Sequence, residues 1–283
     1  MLSDQEISAC IHPRQGARLL LALIFAILLF PFIVLLAAAG TVALVVPIGA
    51  FFVWVGMRVY FANLFGKLIL VSPLNYPRIH TLAEEIKADL GYHKKIYIFV
   101  FELGSFNAYL SKLFFRRAIF LTSEILEPGV SDEEVRWIVG RFVGYLVAQK
   151  RSNVAGWMVR VAERFLIFNF FILPYDRAMV YTGDRLALAI IKGDISTAVS
   201  AMQKLLVGRQ MGYSVNPEGL VEQHRLVKGS VFAFLARLSS PFPHTTARYV
   251  DLIVFAKQHY PDQYANFAVA NPGLPDDIVT LRA

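Results

Sequence analysis

The sequence predicts a mostly helical α+β chain with a small sheet, standing behind a transmembrane helical hairpin. Three observations carry this. No charged residue occurs from Leu19 to Met57, a run of 39 residues. From about residue 70 the composition becomes ordinary, and apolar stripes at helical spacing, punctuated by capping residues, dominate. Only residues 95–101 and 117–122 read as strands.

Composition sets the class. Of 283 residues, 56% are hydrophobic and 17% charged, where a soluble domain carries about a quarter charged. This excludes intrinsic disorder and argues against a fully soluble globule. The single cysteine, Cys10, excludes a disulfide framework and a Cys-rich zinc site. No apolar stretch precedes it, so it is not a lipoprotein cleavage site. A plain thiol is the favoured reading, with acylation beside the apolar run as the alternative. The net charge is +7, but Lys and Arg are scattered and no nucleic-acid motif is present. The excess suits an anionic leaflet, not nucleic acid.

Residues 1–18 form an N-terminal segment. As helix, the charge-free run would extend about 58 Å, against a hydrocarbon core of about 30 Å. That is too long for one span and right for two. Ala39-Gly40-Thr41 offers a turn, giving spans at 19–38 and 42–61. Pro31 and Pro47 fall inside them, which membrane helices tolerate. Arg14 and Arg18 precede the hairpin; Arg58 and Lys67 follow the charge-free run. Both ends are therefore cytoplasmic by the positive-inside rule, and so is the domain that follows. A signal peptide would be shorter and carry a cleavage site. A single tilted helix or a re-entrant wedge is the competing reading.

Residues 70–259 form the folded domain. Asn75 and Pro77 open a helix with the stripe Ile79, Leu82, Ile86 and Leu90, and Gly91 ends it. The two strands are joined by a loop holding Gly104, Ser105 and Asn107. Ser131-Asp132-Glu133-Glu134 is a capping box opening a helix to about Lys150. Further helices are expected at 153–172, 175–191, 194–206, 217–239 and 244–259. Residues 260–283, with Pro261, Pro272 and Pro275, read as an extended tail.

Several segments, in order, resemble the HtpX/CAAX-prenyl-protease family of integral membrane zinc metallopeptidases over roughly residues 70–255. Phe106-Asn107-Ala108-Tyr109 is similar to that family's Pro-Asn-Ala-Phe segment, and Arg117–Thr122 to the strand after it. Ser131–Val135 resembles the acidic start of its zinc helix. Tyr181–Leu188 resembles its second metal helix, and Ser240–Arg248 its Ser-x-His-Pro…Arg segment. The resemblance implies a zincin-like peptidase domain. It also implies zinc held by His-Glu-x-x-His and a later Glu, with substrate extended along an edge strand.

This sequence departs from that pattern at the chemistry. Arg141 stands where the first His belongs, Phe142 at the general base, Tyr145 at the second His and Val180 at the third ligand. Gly144 and Asp184 remain. A guanidinium has no lone pair to donate and repels a dication, and Phe and Val cannot coordinate. No two of the six histidines lie three or four residues apart. No Gly-x-Ser-x-Gly elbow or phosphate loop is present, and Ser105 has no evident activating base. Asp132, Glu133 and Glu134 read as helix-cap charges.

The expectation is therefore a membrane-anchored pseudopeptidase with no metal or other cofactor. Its partners would be the lipid bilayer and a protein or extended peptide held by strand addition near 117–122. The expected groove comprises Asn107, Ala108, Ile119, Phe120 and Leu121. An active hydrolase with an unconventional site and a purely structural membrane subunit are the alternatives. Arg141 is expected to pair with Asp184 where the imidazole would have stood.

Overall fold

The computed structural model describes residues 1–38, 42–113, 116–151, 169–230, 232–233, 240 and 242–281. It is a mostly helical α+β chain with one small mixed sheet. The turn expected at 39–41 lies outside the described residues, as do most of the helix expected at 153–172 and much of 231–239.

The N-terminal segment packs onto the folded domain. Helix α1 (Asp4–Cys10) is opened by a reciprocal capping box between Ser3 and Glu6. It buries Ile7 and Cys10 in the main core. Two long apolar helices follow, α2 (Gln15–Ala38) and α3 (Val42–Lys67). Among the described residues no single helix is long and apolar enough to cross a membrane. One bent pair, Asp4–Cys10 with Gln15–Leu28 at 72°, meets the length and composition needed.

After β1 (Ile69–Leu70) comes α4 (Pro77–Asp89), which buries Ile79, Leu82 and Ile86 as its stripe requires. The sheet is completed by β2 (Tyr97–Phe101), β3 (Ala108–Leu113) and β4 (Arg116–Thr122). Its order is β1-β2-β4-β3, with β2 and β4 parallel and both outer pairs antiparallel. The segment read as a loop between two strands thus holds a third. A parallel pair cannot be joined by a tight turn, and β3 occupies the connection. Strand β4 is central rather than an edge. Its residues Ile119, Phe120 and Leu121 are buried at 0–1% exposure, which removes them from any open groove. The edge beside them is β3.

The two sheet faces serve different partners. Phe99, Ala118 and Phe120 meet Phe61 and Leu64 from the last turns of α3. Tyr109 and Phe99 stack on the Phe120 ring at 4.8 and 5.6 Å. On the other face, Ile98, Val100, Ile119 and Leu121 join the main core.

Helix α5 (Asp132–Arg151) starts at the expected capping box: Ser131 Oγ accepts from the Glu134 amide and Glu134 Oε2 accepts from the Ser131 amide. It packs along α6 (Asn169–Ile190). Helix α7 (Ile195–Val207) packs on α5, with the short α8 (Arg209–Gly212) against α7; α9 (Pro217–Lys228) packs on α10 (Thr245–His259), which lies against α6. The expected extended tail is instead folded: α11 (Pro261–Ala270) and a 3-10 turn (Asp276–Leu281) bury Phe267, Ile278 and Leu281. Pro261 starts α11 in its first turn, where its missing N–H costs nothing.

Candidate functional site

The site is built where α5 crosses α6. Gly144 and Gly183 set their separation. A methyl on Gly144 would lie 3.0 Å from Leu186 Cβ and 3.1 Å from the Gly183 carbonyl oxygen. One on Gly183 would run into the Arg141 carbonyl oxygen. Only hydrogen fits at Gly183, and a methyl at Gly144 would be tight, so the two backbones meet directly. The crossing brings positions 141 and 145 of α5 towards 180 and 184 of α6.

Asp184 is 2% exposed, and its partner is Arg248 from α10, not Arg141. Arg248 Nε and Nη2 donate to Asp184 Oδ2 and Oδ1 at 2.8 and 2.7 Å. This two-pronged geometry satisfies both carboxylate oxygens. The Arg141–Asp184 pair expected from the sequence does not form. The compensating cation comes instead from Arg248, at the end of the Ser240–Arg248 segment.

Arg141 turns to the sheet. Its Nη2 donates to the Ala108 carbonyl oxygen at 3.3 Å. Its guanidinium carbon lies 4.5 Å from the Phe142 ring centroid and 5.7 Å from that of Trp137. Its Nε is buried without a hydrogen-bond partner, as is Trp137 Nε1. Burial, then the nearby Arg248 cation, pushes the Arg141 guanidinium down to about 9, with Asp184 opposing. It stays protonated at neutral pH.

Tyr145 is buried, and its hydroxyl donates to Asp176 Oδ1 at 2.8 Å. Phe142 and Val180 are half-buried and pack against the main core. Positions 141, 142, 145 and 180 thus carry side chains engaged in hydrogen bonds or core packing. Among the described residues no group of three His, Cys, Asp or Glu is placed to hold a metal ion.

Strand β3 is an outer edge of the sheet. Asn107 and Thr122 face each other as a hydrogen-bonded pair: the Thr122 amide donates to the Asn107 carbonyl at 3.0 Å, and the Asn107 amide to Thr122 Oγ1 at 2.9 Å. By antiparallel alternation, the peptide groups of Ala108, Leu110 and Lys112 point outward. Both groups of Ala108 are taken internally. Its amide donates to Asn107 Oδ1 at 2.8 Å and its carbonyl accepts from Arg141. Of the expected groove, Asn107 and Ala108 stand at the edge, while Ile119, Phe120 and Leu121 lie one strand inside.

Two further buried pairs frame the crossing. Arg185 donates to both Asp251 oxygens at 2.9 and 2.6 Å. Lys204 donates to both Glu134 oxygens at 2.6 and 2.8 Å, and Ser200 adds a third bond to Oε1. Glu134 therefore does more than cap its helix. Cys10 Sγ lies 3.8 Å from the Arg185 carbonyl oxygen, and burial pushes the thiol up to about 12. A thiol in that place is not presented for acylation. The pairs were missed because their partners are 64 to 70 residues apart, beyond the reach of local pattern.

No family model matches this chain, and no curated protein or solved structure matches it significantly.

Proposed function

We propose that the chain is a membrane-anchored pseudopeptidase, a catalytically inactive relative of the HtpX/CAAX-prenyl-protease family with a zincin-like domain. It acts by binding a protein or extended peptide along β3. The observation that carries this reading is the fate of the two charged groups at the helix crossing. Asp184 is locked by Arg248, and Arg141 lies across to the Ala108 carbonyl. A fixed cation thus joins the helix to the edge strand where a metal peptidase would polarise its substrate. Replacing four chemical positions while keeping the helix crossing and a strand edge suits capture without cleavage.

Membrane anchoring has its own support. The charge-free run lies within α2 and α3, whose described portions expose Leu20, Ile24 and Leu28, then Phe51, Phe52 and Trp54. The chain before the hairpin and the domain after it are packed together. The Leu2 amide donates to the Asp89 carbonyl at 2.7 Å, and the His12 amide donates to Thr182 Oγ1 at 2.9 Å. A hairpin that leaves and returns on one side accounts for this, with two spans and the domain on the cytoplasmic side.

A structural membrane subunit is the second reading, favoured by the internal capping of Ala108. Amide exchange separates the two. Unfolded casein, used as an extended polypeptide, should slow exchange at Leu110 and Lys112 without being cut. Unchanged exchange there would leave the structural role. Cleavage abolished by a chelator would remove the pseudopeptidase reading altogether.

A further inference from the structure

We propose that the base of the hairpin carries a collar that binds anionic phospholipid headgroups. This rests on the membrane reading above. Arg58, Arg116 and Lys95 make it. The Arg58 guanidinium lies 5.2 Å from the Trp54 ring centroid. That of Arg116 lies 4.7 Å from Phe61 and 5.8 Å from Tyr97. Lys95 Nζ sits 4.8 Å from the same Tyr97 ring. Residues 54, 58 and 61 share one face of α3, so Arg58 continues the stripe on which Arg116 rests. Arg116 and Lys95 thus share the Tyr97 ring where α3 meets the sheet, and Arg58 stands one helical turn further along the same face of α3.

Among the described residues none of the three has a carboxylate within ion-pair distance. The reason is written in the sequence: no Asp or Glu occurs between Ile7 and Ala83, nor within β2, β3 or β4. Elsewhere this chain pairs its arginines, as with Asp184, Asp251 and Glu85. Here the pairing is withheld beside exposed Trp54, Tyr60 and Phe65. Aromatic rings and unpaired cations at the end of an apolar helix match the depth of lipid phosphates. Arginine offers a planar donor fork to phosphate, and the rings hold the cations without cancelling them.

Lipid quenching tests this on the full chain reconstituted in vesicles of equal parts phosphatidylcholine and phosphatidylglycerol. A Trp157→Phe background leaves Trp54 as reporter beside the fully buried Trp137. Bromines are placed on the acyl chains of one lipid at a time. The collar predicts that brominated phosphatidylglycerol quenches more, reflecting local enrichment of about fivefold. That preference should vanish in Arg58→Gln/Lys95→Gln/Arg116→Gln and be partly lost in Arg58→Gln, an exposed change that keeps the fold. Inorganic phosphate should not compete. Equal quenching by both lipids, or a preference unchanged in the variants, overturns the collar while leaving membrane insertion intact. Quenching by neither lipid overturns the membrane reading itself.

Discussion

Arg248 holds Asp184 with two parallel hydrogen bonds of 2.8 and 2.7 Å, although the residues are 64 positions apart. The pair ties α10 to α6 directly beside the Gly144–Gly183 crossing. Both charges are withdrawn from water, with side chains 12% and 3% exposed, so each is tolerated only because the other is there.

Removing one partner should therefore be costly. Arg248→Ala or Asp184→Asn is expected to destabilise the fold by about 3–5 kcal/mol. Arg141→Met should cost about 1 kcal/mol or less, because it gives up one hydrogen bond and also removes an unsatisfied buried Nε. Denaturant titration of the three variants in one detergent checks the order. An Arg141 variant as unstable as the Arg248 variant would mean that Asp184 relies on both cations.

The helix crossing gives a steric prediction. Gly183→Ala places a methyl against the Arg141 carbonyl oxygen and 3.1 Å from the Tyr145 amide nitrogen. Backbone cannot swing aside as a side-chain tip can, so a loss of about 3 kcal/mol is expected. Gly219→Ala, in α9 with open space around it, should gain up to about 1 kcal/mol from helix propensity. Equal effects in thermal unfolding would contradict the close approach.

Alkaline pH should weaken the fold. Burial raises Cys10 from 9.0 to about 12, and it raises Tyr181 and Tyr260 from 10.0 to about 12. Below pH 9 these groups are protonated in both states and contribute no pH dependence. Between pH 9 and 12 the unfolded chain gives up protons that the folded chain keeps, so stability falls as pH rises. Cys10→Ala should remove its share of that slope. Unfolding free energy measured from pH 8 to 11 checks this, and a flat or rising profile would contradict it.

The docked N-terminus makes a topological prediction. Asp4→Cys and Lys67→Cys, in a Cys10→Ala background, should react with an impermeant maleimide from the same side of sealed vesicles. Labelling from opposite sides would mean a single span.

What the sequence revealed, and what it hid, follow from the range of each interaction. The α4 stripe, the Ser131 capping box, and strands β2 and β4 were legible because each depends on neighbours within a few residues. Strand β3 (Ala108–Leu113) was hidden because Gly104, Ser105 and Asn107 just before it invite a loop reading, and tertiary pairing with β4 decides otherwise. Pro261, which with Pro272 and Pro275 suggests an extended tail, sits instead at the start of α11. At the site, the spacing of 141, 145, 180 and 184 placed the right two helix faces together. It named the wrong partner for Asp184: Arg141 was expected, but Arg248, 64 residues further along the chain, supplies the cation, a distance over which local spacing carries no information.

The account stands most directly on the metal. Elemental analysis of the detergent-purified full chain, together with assay of unfolded casein, should give zinc far below one per chain and no cleavage. The fixed cation at Arg141 and the sequestered Asp184 leave the crossing without a ligand set. Stoichiometric zinc that disappears when one of the six histidines is replaced would contradict it.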